Sequence, residues 1–194
     1  MTEEVRTLEL DTSTLPALEE LFGGNGAVAG CWCTWFWQTN ERLQANGSSG
    51  NRDLLRSRVR AGDPIGILAM SGERPLGWVA VGPRSSYPRL DRSPVTRAVE
   101  PGEDGIWSVT CFFVHRTHRR IGLSRRLLDA AVDRAGRGGA RVVEGYPVDT
   151  SVPRTSRVGS GELYHGTLGM FISAGFEIAE RRGQRRAVVR LALS

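Results

Sequence analysis

The stretch from Ile106 to Gly136, IWSVTCFFVHRTHRRIGLSRRLLDAAVDRAG, constrains this chain more than any other. Its opening run, Ile106 to Val114, is rich in β-branched and aromatic residues, the composition of a buried strand. Leu123, Leu127, Leu128, Ala131, Val132 and Ala135 then recur at helical spacing. Arg126, Asp129, Asp133 and Arg134 lie between them, so the spacing predicts an amphipathic helix. A short basic turn, His115 to Ser124, joins strand to helix.

A strand that runs into a helix N-terminus presents unpaired backbone N–H groups and the positive end of the helix dipole, a setting suited to phosphate. Arg119, Arg120 and Arg125 add formal charge there. Gly122 has no side chain, and Ser124 a very small one, to stand between a pyrophosphate and those N–H groups.

The segment Arg119-Arg120-Ile121-Gly122-Leu123-Ser124 resembles the R/Q-x-x-G-x-G/A signature of the GNAT superfamily, the acyl-CoA-dependent N-acetyltransferases. Arg119 and Gly122 match; Ser124 departs mildly from Gly/Ala. The signature gains weight from its place after an apolar strand and at the start of a long helix. The alternative is a basic turn in some other α/β protein. The resemblance implies that residues 119–125 cradle the CoA pyrophosphate. It also implies that the strand, through Phe112, Phe113 and Val114, holds the pantetheine arm. The implied fold is α/β, with a mixed sheet of about six or seven strands splayed in the middle and helices on both faces. Residues 1–194 are then one acetyltransferase domain, with 1–60 on the acceptor side and 106–136 binding CoA.

At 194 residues the chain is long enough for a sizeable core. It has no long apolar run and no basic-then-apolar leader, so no membrane association and a cytoplasmic location are expected. All 26 basic residues are arginine, a bias read as codon usage rather than function. The pI of about 9.8 raises nucleic-acid binding, but the arginines run from Arg6 to Arg190 without a basic tail. No nucleic-acid partner is therefore expected. Cys31, Cys33 and Cys111 form no disulfide framework, and with the histidines they fit no common zinc spacing, so no metal is expected.

Taken in order, Val5 to Leu10 reads as a strand. A helix follows, with Pro16 in its first turn and Leu15, Leu18, Leu21 and Phe22 as its apolar face. Next, GCWCTWFW crowds Trp32, Trp35, Phe36 and Trp37 together. In GNAT proteins the segment after the first helix commonly lines the acceptor pocket, which makes Trp32 and Trp35 candidate substrate contacts; core packing is the alternative for any one ring. Gln44 to Asn51 reads as a polar loop and Arg52 to Arg60 as a short helix. Ile65–Met70 and Leu76–Val81 read as a hairpin. Residues 83–104 hold four prolines and four arginines without periodicity. They are expected to form a lid or acceptor-side loop, with Arg84, Tyr87 and Arg89 as candidate contacts, or else a plain surface loop. Ala140 to Tyr146 is the next parallel strand, which in the family diverges to open the CoA cleft. After a polar loop, Glu162 to Ala174 reads as one helix, followed by a hairpin of 176–179 and 187–193.

Acetyl transfer needs a neutral amine, a held thioester, an oxyanion donor and, least demandingly, an acid for the thiolate. The oxyanion donor is expected to be a backbone N–H near Phe113 or Val114. The family's frequent acid, the tyrosine of Y-x-x-x-G-F, falls at Phe171, which has no proton to give. Tyr164, two helical turns earlier if one helix spans both, is the candidate acid or cofactor contact, with His165 beside it. Glu144, and Glu103 or Asp104 just before the central strand, are the candidate bases, with surface pairing to an arginine as the alternative for Glu144. Cys111 reads as a small buried residue rather than a nucleophile. The expected cosubstrate is acetyl-CoA and the expected acceptor an amine on a small molecule or a protein, with a homodimer as the assembly considered. The rival readings are a non-catalytic acyl-CoA-binding module and a basic nucleic-acid-binding protein.

Overall fold

The computed structural model describes residues 4–152 and 160–193, with the side chains of 160–162 excepted. Its strands are β1 (Val5–Glu9), β2 (Gly66–Ser71), β3 (Arg74–Pro83), β4 (Ile106–Val114), β5 (Val142–Gly145), β6 (Glu177–Arg182) and β7 (Arg186–Ala192). Its helices are α1 (Leu15–Phe22), α2 (Asn40–Arg60), α3 (Leu123–Arg137) and α4 (Leu168–Ser173). The strands form one mixed sheet in the order β1-β2-β3-β4-β5-β7-β6. Only β4 and β5 pair in parallel; the other neighbours are antiparallel.

Both faces of the sheet are covered, which alternation along the strands makes possible. Ile67 and Ala69 of β2, with Val79 and Val81 of β3, face a core built from Leu127, Leu128 and Ala131 of α3 and Phe171 of α4. Leu68, Met70, Trp78 and Ala80 face the opposite core with Leu18 and Phe22 of α1 and Leu55 of α2. In β4 the alternation breaks. Ala80 pairs with Cys111 but Val81 with Val109, so Thr110 is an extra residue in the strand, a β-bulge. One inserted residue exchanges the faces of everything after it. Trp107 and Val109 share a core with Phe112, while Cys111 and Phe113 turn to the α1 side.

Two sequence expectations are corrected. Gln44–Asn51 is helical: α2 runs from 40 to 60 and bends at Gly47, whose φ is 59°. Asn51 is buried, its amide donating to Gly30 O at 3.0 Å, so tertiary contacts override the loop-like composition. The expected helix 162–174 is broken. A 3₁₀ segment, Ser160–His165, ends at Gly166 with φ 80°, and α4 begins only at Leu168. Of the polar loop expected over 148–161, residues 153–159 lie outside the described residues.

Candidate active site

Between β4 and α3 the chain makes one 3₁₀ turn, Arg116–His118, and then two left-handed residues, Arg120 (φ 66°) and Gly122 (φ 81°). This path leaves the amides of Gly122, Leu123 and Ser124 without an acceptor among the described residues. A side chain at Gly122 would project into open space, so room for a ligand exists above those amides. The first turn of α3 has no acidic residue and no side-chain cap. Instead Arg125 and Arg126 stand there, the wrong sign for the dipole by about 0.3–1 kcal/mol each. A helix start built that way favours a bound anion over the stability of the free helix. Val114, His118, Arg119, Arg120, Ser124 and Met170 line the concavity, of about 240 Å³. Arg119 is held by its Nε–H to Val114 O at 3.2 Å, and Arg125 by Asp129 and Ser173.

The parallel pair comes apart beside this loop. β4 and β5 pair from Ile106–Val142 to Val109–Gly145 and no further, although β4 continues to Val114. Phe171 props the gap. Its ring is fully buried, edge-on to Phe112 at 6.2 Å, and so close to β5 that a Cβ on Gly145 would lie 2.4 Å from it. The phenyl at this position is therefore a packing residue.

Beneath the last rungs lies a buried charge network. Glu144 is fully buried. Its Oε1 accepts from Arg84 Nη1 at 3.2 Å and Tyr146 Oη at 2.7 Å, and its Oε2 from Arg190 Nε at 2.9 Å. Arg84 also donates to Tyr146 Oη at 2.6 Å and pairs with Asp91. Burial, followed by the Glu144 charge, pushes the Tyr146 phenol well up. The alternative of surface pairing for Glu144 is corrected: the pairing is internal and twofold.

On the other side of the bulge is a pocket of about 370 Å³. Trp35, Phe36, Tyr164 and Val95 supply apolar wall, and Arg89, Arg92, Arg186 and His165 supply polar groups. The Arg89 guanidinium lies 3.6 Å from the Trp35 ring centroid and pairs with Asn40. The rings of Tyr164 and His165 lie 4.2 Å apart between centroids, tilted by 40° to one another. His165 is buried, and its ring meets the backbone of Thr110 in a polar contact. Burial, then the Arg186 charge, lowers its pKa to about 3, so the imidazole is neutral at physiological pH.

Of the residues named from the sequence, Val114, Arg119, Arg120, Gly122, Leu123, Ser124 and Arg125 gather at the anion loop. Ile121 is exposed. Phe112 and Phe113 face opposite cores. Trp35, Arg89 and Tyr164 line the second pocket. Trp32, Arg84 and Tyr87 do not. Trp32 is buried, its indole N–H donating to Ser48 Oγ at 3.0 Å; Tyr87 is buried; Arg84 is committed to the network. Tyr164 and Phe171 do not share one helix, since Gly166 separates them. Cys111 is half-buried, with its Sγ 3.8 Å from Cys33 Sγ. Sequence reasoning missed Met170, Arg92 and Arg186; nothing local separates these arginines from solvent-facing ones. Among the described residues no cluster of His, Cys, Asp or Glu is placed to hold a metal ion. No helix among them is long and apolar enough to cross a membrane.

A mixed sheet whose one parallel pair parts beside an uncapped helix start with free amides defines an α/β protein with a cleft between two parallel strands, and free amides at a helix start suit an anion. The chain belongs to the acetyltransferase (GNAT) family, whose sequence model matches residues 27–152. A search of curated proteins finds no match. Solved structures share the fold at low identity. PaiA N-acetyltransferase from Thermoplasma acidophilum, in complex with coenzyme A, aligns over 98% of this chain and 99% of its own, with 13% identity and a TM-score of 0.51. YncA from Salmonella typhimurium, solved with acetyl-CoA, covers 98% and 94% with 16% identity and a TM-score of 0.53. A ribosomal-protein-alanine N-acetyltransferase from Brucella melitensis covers 97% and 99% with 16% identity and a TM-score of 0.53.

Proposed function

We propose that this protein is an N-acetyltransferase that moves an acetyl group from acetyl-CoA to an amine by direct attack. The observation that carries this reading is the anion loop at the mouth of the parted strands. The amides of Gly122, Leu123 and Ser124, with Arg119 and Arg120, hold the pyrophosphate. The edge of β4 from Cys111 to Val114 offers its backbone to the pantetheine arm, and a backbone N–H near Phe113 or Val114 faces the developing oxyanion. Acetyl-CoA supplies the thioester. The amine enters from the pocket of Trp35 and Tyr164, so residues 1–60 contribute the acceptor side. As the C–N bond forms and the C–S bond breaks, the amine proton leaves to water and the sulfur takes a proton. Tyr164 supplies the acid. A phenol titrates near 10 and a thiol near 8.5, so a hydrogen bond to the departing sulfur is its main contribution. Glu144 acts as the anchor of Arg84 and Arg190 rather than as a base, since both its oxygens are already engaged. The cytoplasm, which keeps the three thiols reduced, is the proposed location.

Calorimetric titration tests the reading. Wild type binds acetyl-CoA with micromolar affinity, and Gly122→Glu, which sets a carboxylate in the pyrophosphate position, does not. Absence of binding in wild type refutes the proposal.

A further inference from the structure

The pocket that receives the amine carries positive charge without a counter-charge. Arg89, Arg92 and Arg186 line it, and no Asp or Glu does among the described residues. Arg89 is anchored on Trp35 and Asn40, but Arg186 is not so committed. Its Nη1 is buried with no hydrogen-bond partner among the described residues. His165, beside it, also has an unpartnered buried ring atom, Nδ1. A buried polar atom without a partner is costly, and native structures leave few; Arg186 Nη1 lacks an acceptor, and Nδ1 of the neutral His165 lacks a donor. Two in one pocket are accounted for when a ligand completes them.

We propose that the acceptor is an amine that also bears an anionic group, a carboxylate or a phosphate, held in this pocket by Arg186 and Arg92. The inference rests on the transferase reading and names its substrate class. Guanidinium forks match both anions bidentately. The apolar part of the acceptor lies against Trp35, Phe36 and Tyr164. The volume of about 370 Å³ suits a molecule of amino-acid size better than a folded protein surface. The same charges also favour attack. An ammonium group entering a cluster of guanidiniums is pushed toward its neutral form by like-charge repulsion, which is the form that attacks. A neutral imidazole has one acceptor nitrogen, so His165 can orient the amine N–H without removing its proton. An acceptor that is only a cation meets repulsion and no partner.

Matched pairs test this. Thiol release from acetyl-CoA is followed with phenylalanine against phenethylamine, and with O-phosphoethanolamine against ethanolamine. The anionic member of at least one pair has kcat/KM about tenfold or more above its partner, and the pair that shows it separates carboxylate from phosphate. Arg186→Met and the exposed Arg92→Met each lower that kcat/KM about tenfold to a hundredfold and leave acetyl-CoA affinity unchanged. Three results overturn the proposal: preference for the purely cationic amines, indifference of the anionic amine to both arginine variants, or acetyl-CoA binding with neither anionic amine acetylated. Loss of acetyl-CoA binding by wild type would instead defeat the transferase reading beneath it.

Discussion

The ring of His165 lies against the backbone of Thr110, one residue past Val109 and Gly145, the last rung that joins β4 to β5. Burial and then Arg186 hold its pKa at about 3. An unfolded chain takes a proton on this histidine near pH 6.5, and the folded one does not. Its contribution to stability is therefore complete above pH 6.5 and declines as pH falls toward 3, by up to about 1.4 kcal/mol per unit. Glu19 and Asp149, held at about 2 chiefly by hydrogen bonds from Arg52 and Ser151 respectively, add losses only below about pH 4. Urea unfolding at pH 7.5, 6 and 5 shows this slope in wild type and a much flatter one in His165→Gln.

The start of α3 separates stability from function. Ser124→Glu puts a carboxylate at the positive end of the dipole and should stabilise the free protein by about 0.3–1 kcal/mol. The same charge repels a pyrophosphate. Thermal unfolding and acetyl-CoA titration on this variant move in opposite directions: Tm rises slightly and binding is lost.

Glu144 lies between two guanidiniums, and its loss strands both. Glu144→Gln is expected to destabilise the protein by about 3–5 kcal/mol, as for a broken buried ion pair. Denaturant unfolding measures it. A variant of unchanged stability that has lost acetylation would make Glu144 the base after all.

Tyr164 and Phe171 predict opposite outcomes for one oxygen. Tyr164→Phe lowers kcat about tenfold to a hundredfold with little change in acetyl-CoA affinity. Phe171→Tyr adds a hydroxyl to a ring enclosed by Gly145, Phe112 and Phe176. It costs about 1–3 kcal/mol of stability, seen as a lower Tm, and does not raise kcat.

Much of the cofactor end was legible. Strand, basic turn and amphipathic helix are consecutive, and their periodicities are local properties that sequence carries directly. The structure ends β4 at Val114 and begins α3 at Leu123, the boundaries that the residue pattern predicts. The acceptor end was not legible to the same degree. Its pocket joins Trp35, Arg89, Tyr164 and Arg186 from four separate stretches. Arg84 and Arg89 share one loop, yet one serves a buried carboxylate and the other stacks on an indole.

The sequence by itself determined the order of strands and helices and the charge at the α3 N-terminus, because both follow from neighbours a few residues apart. Only the tertiary structure decided which side chains face which core and which ions are paired. A single extra residue, Thr110, exchanges the faces of Cys111, Phe112 and Phe113 without changing the strand-like pattern around it. Glu144 lies on β5, Arg84 in the loop after β3 and Arg190 on β7, so burial joins charges that composition leaves scattered. Long-range pairing selects two partners for Glu144 among 26 arginines, and no local rule names them.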